Sequence, residues 1–254
     1  VLAVGYGVWA MLALPRTPPK RDVGNPLAFA KAFGLLRHPG FLVATLAALP
    51  IAMIHQVYFI RTAPYLQSIG YSPAEVGPVM SIGQFSEIAF LAVLGLFLKR
   101  LGYRLVLTLG ALAYGLRFGL FAIATDASLQ SEWIAGAAMV LHGLCYGFFF
   151  AGAYVYIERL APADIRHSVQ TVFGIIILGV GPVLAGFYNQ QLDVFTPQGE
   201  PADYAGLWRV QALIGIVVAV GVAVAFRPGL PPSDEDVEPA AHEVPEAGGA
   251  PPMD

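Results

Sequence analysis

Six runs of the chain, 38–60, 76–98, 105–125, 133–157, 167–192 and 210–226, contain no Lys, Arg, Asp or Glu apart from Glu87 in the second and Arg117 in the third. Most reach the roughly 20 apolar residues that carry a helix across about 30 Å of hydrocarbon. They are too long, and alternate too weakly, for the strands of a barrel. The pattern therefore predicts an all-α transmembrane protein with six full spans, over 38–227. A further apolar stretch, "VLAVGYGVWAMLAL" at 1–14, is too short to span at about 1.5 Å per residue and is expected to be the end of a truncated helix. Residues 15–37 form a linker that starts polar ("PRTPPKRDVGNP"). Its second part, "LAFAKAFGLLRHPG", places Leu27, Ala30, Phe33 and Leu36 on one face. That spacing predicts a short helix lying on the membrane surface.

Charge adds an orientation. If the linkers alternate sides, one side collects Arg16, Lys20, Arg21, Lys31, Arg37, Lys99, Arg100, Arg104, Arg159, Arg166 and Arg227, and the other only Arg61 and Arg209. The excess of basic residues marks the cytoplasmic side. This predicts that 15–37, 99–104, 158–166 and the C-terminal tail are cytoplasmic in a multi-pass membrane protein. The net charge of −3 is set by the tail 228–254, which holds seven acids and no Lys or Arg. Rich in Pro, Ala, Gly and acids, it is expected to be disordered. No basic patch suggests a nucleic-acid partner. The single cysteine, Cys145, excludes an internal disulfide and a multi-cysteine metal site. No HExxH, GxSxG or phosphate-loop motif occurs, so no enzyme, cofactor or metal is expected.

The polar residues inside the spans carry the chemistry. A carboxylate at mid-depth costs several kcal/mol unless it is protonated, paired or wetted. Ser81, Gln84 and Glu87, spaced by three, lie near one stripe of a helix. That stripe must face a cavity or a partner helix. In the preceding span His55 and Gln56 follow Pro50, which frees a backbone carbonyl and is expected to break the helix locally. Gln56 is a candidate solute ligand; His55 is read as a packing residue. Arg117 requires a partner, either Glu87, a carbonyl or a group outside this sequence, and is a candidate for gating. Ala111, Gly115 and Gly119, and again Gly143, Gly147 and Ala151, recur every four residues and predict faces for close helix contact. His142, Tyr146 and Phe150 share another face, suited to stacking on a planar ring or sugar, and His142 is a candidate to bind solute or carry a proton.

Four segments in this order on successive helices, "SIGQFSE" (81–87), "LRFGLFA" (116–122), "HGLCYGFF" (142–149) and "APADIRHSVQ" (161–170), resemble the C-terminal half of bacterial nucleoside:proton symporters of the major facilitator superfamily. "GLFLKRLGYR" (95–104) resembles that superfamily's cytoplasmic loop motif. The resemblance implies a twelve-helix fold in two halves around a central cavity. Residues 1–14 would then be the end of helix 6, 15–37 the central linker, and 38–227 helices 7–12. The N-terminal half of the same polypeptide would be the missing partner. It further implies proton-coupled transport of nucleosides by alternating access. Gln56, Gln84 and Glu87 would contact the solute, Tyr146 would stack near it, and His142 would occupy a position where relatives carry a tyrosine. The match is not complete. Phe59 stands where relatives can have an asparagine, Gly147 where they have an aspartate, and Lys99 where the loop motif has an acid. A carrier for sugars or another polar solute, and a non-transporting membrane receptor derived from a carrier, remain as alternatives.

Overall fold

The computed structural model describes residues 2–13, 28–126, 131–199 and 201–229. The expectations for 15–27 and for the tail beyond 229 lie outside these. Among the described residues there are seven helices: α1 (Leu2–Ala13), α2 (Ala28–Gly34), α3 (Pro39–Ser68), α4 (Pro73–Ile123), α5 (Ser131–Leu160), α6 (Arg166–Phe195) and α7 (Tyr204–Ala225). The last five are long and apolar enough to cross a membrane.

At 51 residues α4 would be about 76 Å long if straight, more than twice the hydrocarbon thickness. It is two helices joined at Gly102, whose φ of 72° and ψ of 166° are non-helical and lie in a region essentially reserved for glycine. Counting its arms 73–101 and 103–123 separately gives the six spans that the charge-free runs predict. Their starts follow from local chemistry. Pro39 opens α3, with His38 Nδ1 accepting from the Phe41 amide at 3.4 Å. Ser72 and Glu75 cap α4, the Ser72 amide donating to the Glu75 carboxylate at 2.8 Å. Asp203 accepts from the Gly206 amide at 2.7 Å to begin α7.

Two expectations are corrected. Pro50 does not break α3, which is helical through both Pro50 and Pro64; the missing amide bonds leave the helix continuous. Gly119 faces open space and is no contact point. Of the other predicted positions, Gly115 and Gly143 sit at close helix contacts, and Gly110 and Gly215 add two more. A Cβ on Gly215 of α7 would stand 2.6 Å from the Gly115 nitrogen, and one on Gly110 would stand 2.5 Å from the Phe149 nitrogen of α5. A short helix does form there, α2, continued by a tight turn at Leu35–Arg37. It buries Ala32 and leaves Phe33 exposed.

The helix ends form two groups. At one, Lys31 pairs with Asp164 at 3.6 Å, Arg104 Nε donates to the Ala223 carbonyl at 2.7 Å, and the Tyr156 hydroxyl donates to the Pro228 carbonyl at 2.8 Å. At the other, Arg61 binds Asn189, Asp193 and Thr196, and the Tyr71 hydroxyl donates to the Glu132 carbonyl. Near that second end Trp208 of α7 stacks on Phe118 (5.3 Å, 7° between planes) and packs edge-on against Tyr65 and Phe121. The core is thus built of aromatics and small residues. Exposed Phe85, Phe187, Leu213 and Val217 suit helices sitting in hydrocarbon.

Candidate functional site

Glu87 lies at the midpoint of the first arm of α4. It is held there by a tight helix crossing. Gly143 of α5 lies directly on the backbone of Ser86 and Glu87, where a methyl group would overlap the Ser86 carbonyl and the Glu87 nitrogen. The Ser86 hydroxyl donates to the Val140 carbonyl across the same crossing. One turn earlier, a Cβ on Gly83 would stand 3.0 Å from the Cβ of His142. Glycines on both helices therefore bring the His142 ring against the polar stripe of α4.

His142 is 1% exposed and Arg117 0%. Arg117 Nη1 lies 2.8 Å from His142 Nδ1. On the other side of the ring, His142 Nε2 lies 3.7 Å from Glu87 Oε2 and 3.5 Å from the Gln84 side-chain amide. The sequence reading of Arg117 did not include this partner. Among the described residues Arg117 has no carboxylate within ion-pair distance. Its charge is met by the His142 ring nitrogen, the face of Tyr58 at 3.7 Å, and the Met139 sulfur at 3.8 Å. Arg117 Nε has no hydrogen-bond partner among the described residues. Of the predicted stripe, Gln84 is exposed and Glu87 partly so, whereas Ser81 donates to the Pro78 carbonyl of its own helix at 2.6 Å.

A cavity of about 110 Å³ lies between α3, α5 and α6. Gln56 and Tyr146 line it, as predicted candidates, together with His55, Phe150, Tyr154 and Pro182. Its wall is mostly rings: His55 and Tyr146 are 5.9 Å apart, and Tyr146 and Phe150 5.7 Å. Gln84, Glu87, Arg117 and His142 do not line this cavity. The two groups meet where His142 stacks on His55 (5.5 Å, 23°). His55 is fixed in turn by the Tyr114 hydroxyl, 2.9 Å from its Nδ1. His55 thus does more than pack, since it forms the cavity wall and connects the two polar groups. Tyr154 was the other residue missed. Its signal was present, because 142, 146, 150 and 154 continue one face at a spacing of four. The wide π turns at Cys145–Ala151 and Ile176–Val180 were not legible; they lie where α5 and α6 face the cavity, a frequent place for such turns. Among the described residues no cluster of His, Cys, Asp and Glu is placed to hold a metal.

The cavity thus offers one amide, from Gln56, among aromatic faces, and Gln84 and Glu87 lie beyond the His55–His142 stack. The comparisons with known proteins give the family. The family model described as Nucleoside H+ symporter matches residues 2–230. The putative nucleoside transporter YegT of Escherichia coli K12 is 30% identical over 231 residues, covering 87% of this chain and 53% of that protein. Xanthosine permease of the same organism is 26% identical over 229 residues, covering 85% and 54%. The chain spans about half the length of these relatives. The crystal structure of the nucleoside transporter NupG in its D323A form superposes with a TM-score of 0.73 at 23% identity, covering 89% of this chain and 60% of that one, and supports the fold. A chain with this membrane architecture, matched to the family over nearly all its described length, belongs to the nucleoside H+ symporter family.

Proposed function

We propose that this chain is the C-terminal half of a proton-coupled nucleoside transporter of the inner membrane, working by alternating access. The observation that carries the reading is a ring-lined cavity holding Gln56, with Gln84 and Glu87 behind the His142–His55 stack, near the midpoints of the spans, where hydrocarbon excludes polar groups that have no task. Gln56, Gln84 and Glu87 hydrogen-bond the ribose hydroxyls and base edges. Tyr146 stacks on the base. Glu87 takes up and releases the coupled proton, and Arg117 holds the charge balance as the site opens to either side. The nucleoside, the proton, the lipid bilayer and the N-terminal half are its partners. Coverage of about half of each relative supports the need for that second half, since such carriers build their site between two repeats. The eleven-to-two distribution of basic residues supports a cytoplasmic placement of 15–37, 99–104, 158–166 and the tail.

The test is uptake of labelled nucleosides by the twelve-helix protein in cells lacking their own carriers, against a panel of sugars. Glu87→Gln should cut uptake sharply and flatten its pH dependence, losing one charged hydrogen bond, roughly ten- to a hundredfold in affinity. Gln84→Ala should weaken uptake and keep the pH profile. Wild-type rate and pH dependence in Glu87→Gln would remove Glu87 from the mechanism, and uptake of sugars alone would overturn the substrate class.

A further inference from the structure

We propose that Arg117 locks His142 as a neutral ring with its proton on Nε2, which makes His142 a positioning residue for Gln84 and Glu87 rather than a carrier of the coupled proton. The proposal rests on the reading that Gln84 and Glu87 meet the solute.

The geometry allows one assignment. A guanidinium has five N–H donors, no acceptor, and is not deprotonated in proteins. With Arg117 Nη1 2.8 Å from Nδ1, that nitrogen must accept, so it carries no proton. An imidazolium has a proton on both nitrogens and would set two donors against each other. His142 is therefore neutral while the contact lasts, and its one ring proton is on Nε2. Nε2 faces Glu87 Oε2 at 3.7 Å and the Gln84 amide at 3.5 Å. The Gln84 oxygen and nitrogen are interchangeable in placement. A donor on Nε2 selects the orientation in which the Gln84 oxygen faces the ring, and this leaves both Gln84 N–H groups for solute.

The surroundings reinforce the lock. From α3, His55 stacks on the ring and Tyr58 lies 5.3 Å away. From the first arm of α4 come Gln84 and Glu87, and from the second arm Arg117. Glu87 is the only acid that faces His142 among the described residues. The buried guanidinium and the partly exposed carboxylate are thus separated by a ring that cannot take the proton from either. A proton entering from the solute side has one resting place, the Glu87 carboxylate.

Nitrogen NMR of the twelve-helix protein with labelled histidine, in lipid nanodiscs from about pH 5 to about pH 8, reads this directly. Signals are assigned by their loss in His142→Asn. His142 should show a bare Nδ1 and a protonated Nε2 across the range. In Arg117→Met, which removes the donor and keeps an unbranched chain, His142 should titrate. A doubly protonated His142 in the unaltered protein, or a proton on Nδ1, overturns the proposal. Uptake gives a second readout. The amide oxygen introduced by His142→Asn can still accept from Arg117, while the ring N–H facing Gln84 and Glu87 is lost. This substitution should therefore raise KM roughly ten- to a hundredfold and keep the pH profile of uptake. A flattened profile would place the coupled proton on His142 and overturn the proposal. Failure of the parent reading looks different: Glu87→Gln would then keep the pH profile, while the NMR result still decides the state of His142.

Discussion

Gly143 of α5 presses its backbone onto that of Glu87 in α4, with no room for a single methyl group between them. The position of the carboxylate is therefore set by a missing side chain on another helix. Gly143→Ala should push α5 outward and lower stability by about 1–3 kcal/mol, the usual cost of overpacking a tight contact. Thermal unfolding in nanodiscs would show it as a lower midpoint, accompanied by weaker solute binding. An unchanged midpoint would mean that the crossing is looser than described.

Arg61 joins α3 to the end of α6 by four hydrogen bonds: to the Asn189 side chain (2.6 Å) and carbonyl (2.9 Å), to Thr196 (3.0 Å) and to Asp193 (2.6 Å). Asp193 is mostly exposed, so its ion pair contributes less than about 1 kcal/mol. Asp193→Asn should leave stability nearly unchanged, whereas Arg61→Ala should lose at least about 2 kcal/mol because several neutral bonds go together. Equal effects of the two substitutions would refute this division.

Trp208 is fully buried, yet its indole nitrogen has no hydrogen-bond partner among the described residues. Its contribution is area and ring stacking. Trp208→Phe should therefore be mild, and Trp208→Ala should cost about 3–5 kcal/mol by opening a cavity. Unfolding of both variants side by side checks the difference.

The charge distribution predicts which membrane face each helix end meets. Cysteine placed at Ala74 should react with an impermeant thiol reagent in intact cells, and cysteine at Lys99 should react only after the membrane is opened. Cys145 is buried and gives little background. The reverse pattern would invert the orientation.

What could be read from the chain divides along physical lines. The six spans were legible because hydrocarbon excludes charge, so the exceptions, Glu87 and Arg117, stood out at once. Ends were less legible. Arg61 looked like the end of a span, yet α3 runs on to Ser68, because Arg61 is satisfied by α6 and not by water. The proximity of Gln56 to Tyr146 followed from a resemblance and is seen in the cavity wall. The partner of Arg117 was not legible. Pairing with His142 depends on the rotation and depth of two helices packed side by side, and no periodicity within one helix encodes that. Pro50 misled for a related reason, since neighbouring helices can hold a prolyl turn helical that would break alone.

The reversal at Gly102 has a consequence for how the protein is made. Its two arms are joined by essentially one residue, flanked by Lys99, Arg100 and Arg104. No polar linker separates them that could be moved across the bilayer on its own. The arms should leave the translocon together as a preformed helical hairpin, its basic tip held back on the side of synthesis. Glu87 in one arm and Arg117 in the other then enter the lipid in a single step, and the two most costly residues of the chain are never exposed to hydrocarbon separately.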